Sequence, residues 1–171
     1  MVALLLSSSF FLPGSSVHPE TERLIQDICQ RVDNFQFCNT TMNANLRAYD
    51  EGIEDLAHLA ILVALDSATR TKGYAEELTR QATDKDLKFC LKICSNSYAA
   101  VNDSFTAAKK QFDGRDFDAV DESEKKAAQP IKDCDFMFLR TSTRENPLLE
   151  RNRQMSDLTQ IALSALQNLL P

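Results

Sequence analysis

The chain has 171 residues, enough to bury one core and a fit for a single domain. With 4 Gly and 5 Pro it lacks the turn residues that a sandwich or barrel of short strands consumes, so few, long elements are expected. Lys+Arg 19 against Asp+Glu 25 gives a net charge of −6, which removes the attraction that dominates nucleic-acid binding and argues against such a partner. Hydrophobic residues at 43% exclude a disordered chain, and the two histidines, His18 and His58, are too far apart in sequence to suggest a histidine-based catalytic or metal centre.

Residues 2–12 read VALLLSSSFFL and are followed by Pro13-Gly14-Ser15-Ser16. The run is too short to span a bilayer and suits the apolar core of a signal peptide. Residues 1–16 are therefore expected to be a signal peptide, with Val17 opening the mature chain. The absence of Lys and Arg from this stretch departs from the usual basic start. No later run reaches 18 apolar residues, so no membrane partner is expected.

The remainder reads as helices. Residues 21–42 give two short pieces, around Leu24–Val32 and Phe35–Met42, with a turn at Asp33-Asn34. A first long helix over 53–81 carries Ile53, Leu56, Ala60, Val63, Ser67, Tyr74 and Leu78 at helical spacing, with Gly73 as a weak point. In 84–112, Leu87, Leu91, Cys94, Tyr98, Val101, Phe105, Ala108 and Phe112 recur in alternating steps of four and three, a heptad seam capped by Thr83 or Asp84. A third long helix over 116–140 carries Phe117, Val120, Ala127, Ile131, Cys134 and Phe138, and Pro130 is expected to kink it. The last helix opens at Asn146-Pro147, an N-cap followed by proline, and presents Leu148, Met155, Leu158, Ala162, Ala165 and Leu169. Short connections at 82–83, 113–115 and 141–146 force neighbours to run antiparallel. The fold class is all-α, an up-down-up-down four-helix bundle preceded by a short helical hairpin.

Five cysteines, Cys29, Cys38, Cys90, Cys94 and Cys134, leave fifteen ways to form two disulfides, five choices of the odd thiol times three connectivities. Cys29 and Cys38 flank the Asp33-Asn34 turn and can face each other across the hairpin. Cys94 and Cys134 lie at similar heights on either side of the 113–115 turn. Cys90, one turn from Cys94, is either a small buried side chain or a competitor for Cys134. A zinc site from Cys90, Cys94 and Cys134 lacks a fourth ligand.

The N-terminal pair Cys29 and Cys38, the Cys94-x-x-x-Tyr98 segment, the Cys134-Asp135-x-Phe segment and the apolar end Asn168-Leu169-Leu170 together resemble the plant invertase inhibitor and pectin methylesterase inhibitor family over about residues 22–170. Within it the chain is most similar to the plane-tree pollen allergen-type group of invertase inhibitors. The resemblance implies a secreted bundle of the cell wall or vacuole, with an α-hairpin extension, disulfides Cys29–Cys38 and Cys94–Cys134, and a free thiol at Cys90. It implies a target enzyme as partner, a cell-wall or vacuolar invertase or a pectin methylesterase, and neither cofactor nor metal. Invertase inhibitors of the family carry a Pro-Lys-Phe element between the second and third long helices that enters the invertase active site. Here the stretch is Gly114-Arg115-Asp116-Phe117. Phe117 matches, Asp116 stands at the lysine position and Arg115 at the proline position. An invertase site works with carboxylates, so Asp116 is repelled there and Arg115 is the charge able to restore attraction. As a local structure, Asp116 is a helix cap and Phe117 the first core residue behind it. The pectin methylesterase branch contacts its enzyme through helix faces, which no short motif marks.

The chain thus reads as a secreted inhibitor of a plant carbohydrate-active enzyme, leaning toward invertase, with a non-inhibitory binding or allergen-type bundle as the alternative. It shows no Ser/His/Asp or Cys/His set and no phosphate loop of an enzyme. Arg115, Asp116 and Phe117 are the candidate docking residues. Asn39-Thr40-Thr41 and Asn102-Asp103-Ser104 are glycosylation sequons if the chain is secreted. His58 reads as a surface or core side chain, and the run Asp-Glu-Ser-Glu-Lys-Lys at 121–126 as a solvated helix face.

Overall fold

The computed structural model describes residues 18–50, 52–141 and 145–170. The expected signal peptide, 1–16, and its cleavage before Val17 lie outside the described residues. Seven helices are described: α1 (Pro19–Cys29), α2 (Phe35–Asn45), α3 (Ile53–Gln81), α4 (Lys85–Asp113), α5 (Phe117–Lys126), α6 (Ala128–Thr141) and α7 (Leu149–Leu166). α3, α4, the α5–α6 pair and α7 form the four-helix bundle, and α1 and α2 form the hairpin.

α4 follows the heptad seam from end to end. Asp84 caps it, its carboxylate accepting the Leu87 N–H at 2.8 Å. Cys90, Leu91, Cys94, Tyr98, Val101, Phe105 and Ala108 are buried along it. α3 lays a row of small residues, Ala57, Ala60, Ala64 and Ala68, into the same core. Small side chains there leave room for Tyr98 and Phe105, both fully buried. The α3 seam departs from its expected course toward the C-terminus. Tyr74 is 37% exposed, under the Arg151 guanidinium, and Thr71 and Ala75 are buried instead. A straight helix drifts ~20° per heptad from a strict seven-residue repeat. By Tyr74, three heptads after Ile53, the expected stripe has turned out of the core.

The third long helix is two helices. The break falls at Ala127, whose N–H bonds back only three residues, to the Glu124 carbonyl at 3.1 Å. Pro130 has no N–H for the Lys126 carbonyl, and its ring crowds that oxygen. The chain therefore restarts as α6 with Pro130 in the first turn, where a missing donor is harmless. The last helix likewise begins later than expected, at Leu149 rather than Pro147. Asn146 closes the preceding turn: its side chain accepts the Leu148 N–H at 2.9 Å and its carbonyl the Leu149 N–H at 3.1 Å. α1 ends at Cys29, short of Val32, because the chain tightens there into three-residue steps, Arg31 to Ile28 and Val32 to Cys29.

Two disulfides close in the structure. Cys29–Cys38 ties α1 to α2 with Cα atoms 5.5 Å apart. Cys94–Cys134 ties α4 to α6 with Cα atoms 4.6 Å apart. Cys90 is a buried thiol 3.7 Å from the Met137 carbonyl. Burial pushes its pKa up, and Asp86 adds to that. The bundle disulfide sits in a small second core with Ala75, Leu91, Phe138 and Leu148. The hairpin packs into the main core through Ile25, Ile28 and Met42. Arg31 pins it to α7, donating to the Ser164 hydroxyl at 3.2 Å and the Ser164 carbonyl at 3.1 Å.

Two seam positions hold buried polar side chains. Asn152, fully buried on α7, accepts from the Tyr98 hydroxyl at 2.8 Å and donates to Asp135 at 2.6 Å. Glu124, fully buried on α5, has no partner for either carboxylate oxygen. The expectation of a solvated 121–126 face is thus corrected. Ser123 and Glu124 face inward, because 124 falls on the seam between Val120 and Ala127, and Glu122, Lys125 and Lys126 remain exposed.

Candidate functional site

The turn between α4 and α5 gathers the expected docking residues. α4 ends at Asp113, and the chain turns through Gly114 into Arg115, whose φ is 59°. The Arg115 N–H bonds to the Phe112 carbonyl at 2.9 Å and the Asp116 N–H to the Gln111 carbonyl at 3.0 Å. This is the paired closure of a helix C-terminus through a left-handed residue, a position usually given to glycine. A side chain there stores ~1–2 kcal/mol of backbone strain.

The Arg115 side chain is held in place. Its guanidinium meets the Glu54 carboxylate through two bonds, at 2.6 and 2.9 Å, and lies 5.6 Å from the Phe117 ring centroid. The bond to Arg115 keeps the Glu54 carboxyl below the usual carboxylate range. Asp116 caps α5, its carboxylate accepting the Ala119 N–H at 3.2 Å. Phe117 is half-buried and meets Phe112 at 5.4 Å between centroids, tilted by 58°. Phe112 stacks in turn on His58 at 5.3 Å. The His58 Nε2 is buried without a hydrogen-bond partner, 3.7 Å from an Asp113 carboxylate oxygen. Asp113 itself takes the Lys109 ammonium at 2.7 Å, which depresses its pKa.

The structure therefore brings Arg115, Asp116 and Phe117 to one end of the bundle, and adds Glu54, His58 and Phe112. Glu54 was not legible as part of the site. It lies 61 residues from Arg115, and its one signal is its place in the first turn of α3, which an up-down topology sets beside the α4–α5 turn. The sequons lie elsewhere. Asn39 is half-buried on α2, its side-chain oxygen accepting from Asn43 at 3.2 Å. Asn102 is half-buried on α4, and its amide nitrogen, the atom a glycan would carry, donates to the Thr69 hydroxyl at 2.5 Å.

At the far end of the bundle, where α6 finishes, Phe136 is 50% and Leu139 83% exposed. With Gln129, Lys132 and Asp133 they line an open groove on the outer face of α6. Among the described residues, no cluster of three or more His, Cys, Asp or Glu is placed to hold a metal ion, and no helix is long and apolar enough to cross a membrane.

The chain is 30% identical to a pectinesterase inhibitor of Actinidia deliciosa over 173 aligned residues, covering 99% of this chain and 92% of that protein. It is 26% identical to cell wall / vacuolar inhibitor of fructosidase 2 of Arabidopsis thaliana, covering 91% and 86%. Among solved structures, a mutant form of a pectin methylesterase inhibitor from Arabidopsis superposes with a TM-score of 0.75 at 18% identity, covering 86% of this chain and 97% of that one. A second pectin methylesterase inhibitor structure from Arabidopsis thaliana gives 0.65 at 17% identity, covering 86% and 96%; both likenesses are of fold. Residues 23–164 match the family described as plant invertase/pectin methylesterase inhibitor, and the chain belongs to that family.

Proposed function

We propose that this chain is a secreted protein inhibitor of a plant carbohydrate-active enzyme, an invertase or a pectin methylesterase, and that the 113–117 end of the bundle is part of its docking surface. The name of the family supports the inhibitory role. The observation that carries the docking site is the arrangement around Phe117. A half-buried ring, braced by Phe112, stands beside a guanidinium that is already oriented on Glu54. Such a surface docks with little ordering of side chains, and that cost otherwise subtracts from affinity. In this reading the leader, 1–16, directs the chain to the cell wall or vacuole and is removed before Val17.

Arg115 and Phe117 have separable roles. Phe117 supplies apolar area for a cleft, and Arg115 a charge for carboxylates within it. Truncating Arg115 to Ala weakens inhibition by ~1–3 kcal/mol where its guanidinium is desolvated against a carboxylate. Folding changes little, since an exposed ion pair contributes ~0–1 kcal/mol. Asp116→Lys restores the invertase-directed cation at the cost of the α5 cap, ~1 kcal/mol. With invertase as target, this variant binds more tightly than the parent. Inhibition of invertase and of pectin methylesterase by the parent, Arg115→Ala and Asp116→Lys tests the assignment.

A second reading rests on two exposed side chains. Phe136 and Leu139 stand out from the α6 face, which suits docking through a helix face, as the pectin methylesterase branch does. In that case Leu139→Glu abolishes inhibition, and the two variants in the 113–117 turn leave it unchanged.

A further inference from the structure

Glu124 occupies a core position with nothing to hold its charge. It follows the 117–120–124–127–131 stripe into the centre of the bundle, between Val120 and Ala127, and is 0% exposed. Both carboxylate oxygens lack a hydrogen-bond partner. The neighbouring helices offer apolar surface to this core: Phe105 and Ala108 from α4, Ile131 from α6, Met155 and Leu158 from α7. Among the described residues no Lys, Arg or His of these helices bears on the carboxyl. The one charged group that does is Asp121, a turn away on α5 and itself negative. An ionised carboxylate buried without partners is strongly unfavourable, whereas a neutral carboxylic acid is tolerable.

We propose that Glu124 is a proton-binding site built into the bundle core, so that the chain is most firmly folded in acidic surroundings and α5 loosens from the bundle when the proton leaves.

The direction follows from linkage. Burial, with Asp121 assisting, pushes the Glu124 pKa from 4.5 up to about 8. Between those values the folded chain holds a proton that the unfolded chain has released. The stability that this proton contributes is fully present below pH 4.5 and is lost as pH rises toward 8. Carboxylates with depressed pKa values, such as Glu54 and Asp113, act in the opposite sense and below this window. Because α5 starts at Phe117, the same proton steadies the proposed docking end. That consequence rests on the docking proposal; the stability effect does not.

The test is urea unfolding of the intact, disulfide-bonded chain from pH 5 to pH 8.5, beside Glu124→Gln. For the parent, the unfolding equilibrium constant should rise by roughly a few hundredfold from pH 5 to pH 8 through this one group. Glu124→Gln, whose amide does not ionise, should lose that rise. Parallel pH dependences in the two proteins would overturn the proposal, whatever either inhibits. Infrared spectroscopy of the parent alone keeps the test open if the variant does not fold. A protonated carboxyl C=O stretch should persist at pH 6.5, where ordinary carboxyl groups are ionised, and vanish as the pH passes 8. Its absence at pH 6.5 contradicts the proposal.

Discussion

Arg115 and Glu54 form a two-bonded ion pair, at 2.6 and 2.9 Å, that clasps the α4–α5 turn to the first turn of α3. The pair orients the guanidinium and also neutralises it. A docking role for Arg115 must therefore compete with Glu54 for the same donors.

Glu54→Gln removes that competition. With an acidic cleft as target, inhibition should strengthen several-fold, because the guanidinium reaches the enzyme without first leaving a carboxylate. An inhibition constant unchanged in Glu54→Gln and weakened in Arg115→Ala would show that the pair docks as a unit. Thermal stability should hardly move, since the pair is exposed.

Arg115→Gly separates folding from docking. Glycine adopts the left-handed backbone at no steric cost, so ~1–2 kcal/mol of strain is relieved against ~0–1 kcal/mol of lost ion pair. Urea unfolding should show a chain as stable as the parent or up to ~2 kcal/mol more stable. Inhibition by the same variant should be weaker. Strain kept at a site when glycine would remove it is what a functional residue produces. A variant that is less stable than the parent would show that Arg115 is there to hold the turn.

The Tyr98–Asn152 pair should behave as one unit. The Tyr98 hydroxyl, Asn152 and Asp135 form a chain of bonds joining α4, α7 and α6. Asn152→Leu strands the Tyr98 hydroxyl and part of Asp135, and should destabilise by ~2–4 kcal/mol. Tyr98→Phe should destabilise by ~1–2 kcal/mol, and the double variant by less than the sum. A coupling energy near zero in the double-mutant cycle would remove the network from the list of what holds these helices together.

Much of this fold was legible because α4 repeats its apolar positions without a fault, so one helix fixes the seam for its neighbours. The gaps misled. The third and last long helices each skip one seam position, between Val120 and Ala127 and between Leu148 and Met155. A seven-residue gap marks a place where the core accepts something other than a hydrophobe. Those places hold Glu124 and Asn152, one without partners and the other with partners on two helices. The sequence predicts a kink at Pro130 within one helix; the structure instead breaks the helix at Ala127, because the proline acts on the carbonyl four residues before it. At the docking end, Asp116 and Phe117 could be placed from sequence, since a cap and the first core residue are local features. The Arg115–Glu54 bond could not, because it depends on how the bundle brings the α3 and α5 starts together.

Cys90 should be the one thiol of the folded chain. It is buried, and its pKa is raised by desolvation, so alkylation at neutral pH should be slow in the native state and fast in urea. Non-reducing peptide mapping should recover the label on the Cys90 peptide, with Cys29–Cys38 and Cys94–Cys134 intact. A Cys90–Cys134 crosslink as the main species contradicts the packing of the second core. Replacing the bundle cystine by serines should cost ~4 kcal/mol, as expected for a closed loop of this length.

The most direct measurement is a titration of invertase and of pectin methylesterase with the folded, disulfide-bonded chain, each run beside Phe117→Ala and Arg115→Ala. Stoichiometric inhibition of one enzyme by the parent, weakened at least several-fold in both variants, is the expected result. If the folded chain inhibits neither enzyme, or if both variants inhibit as well as the parent, the 113–117 end is only a helix cap and the docking proposal fails.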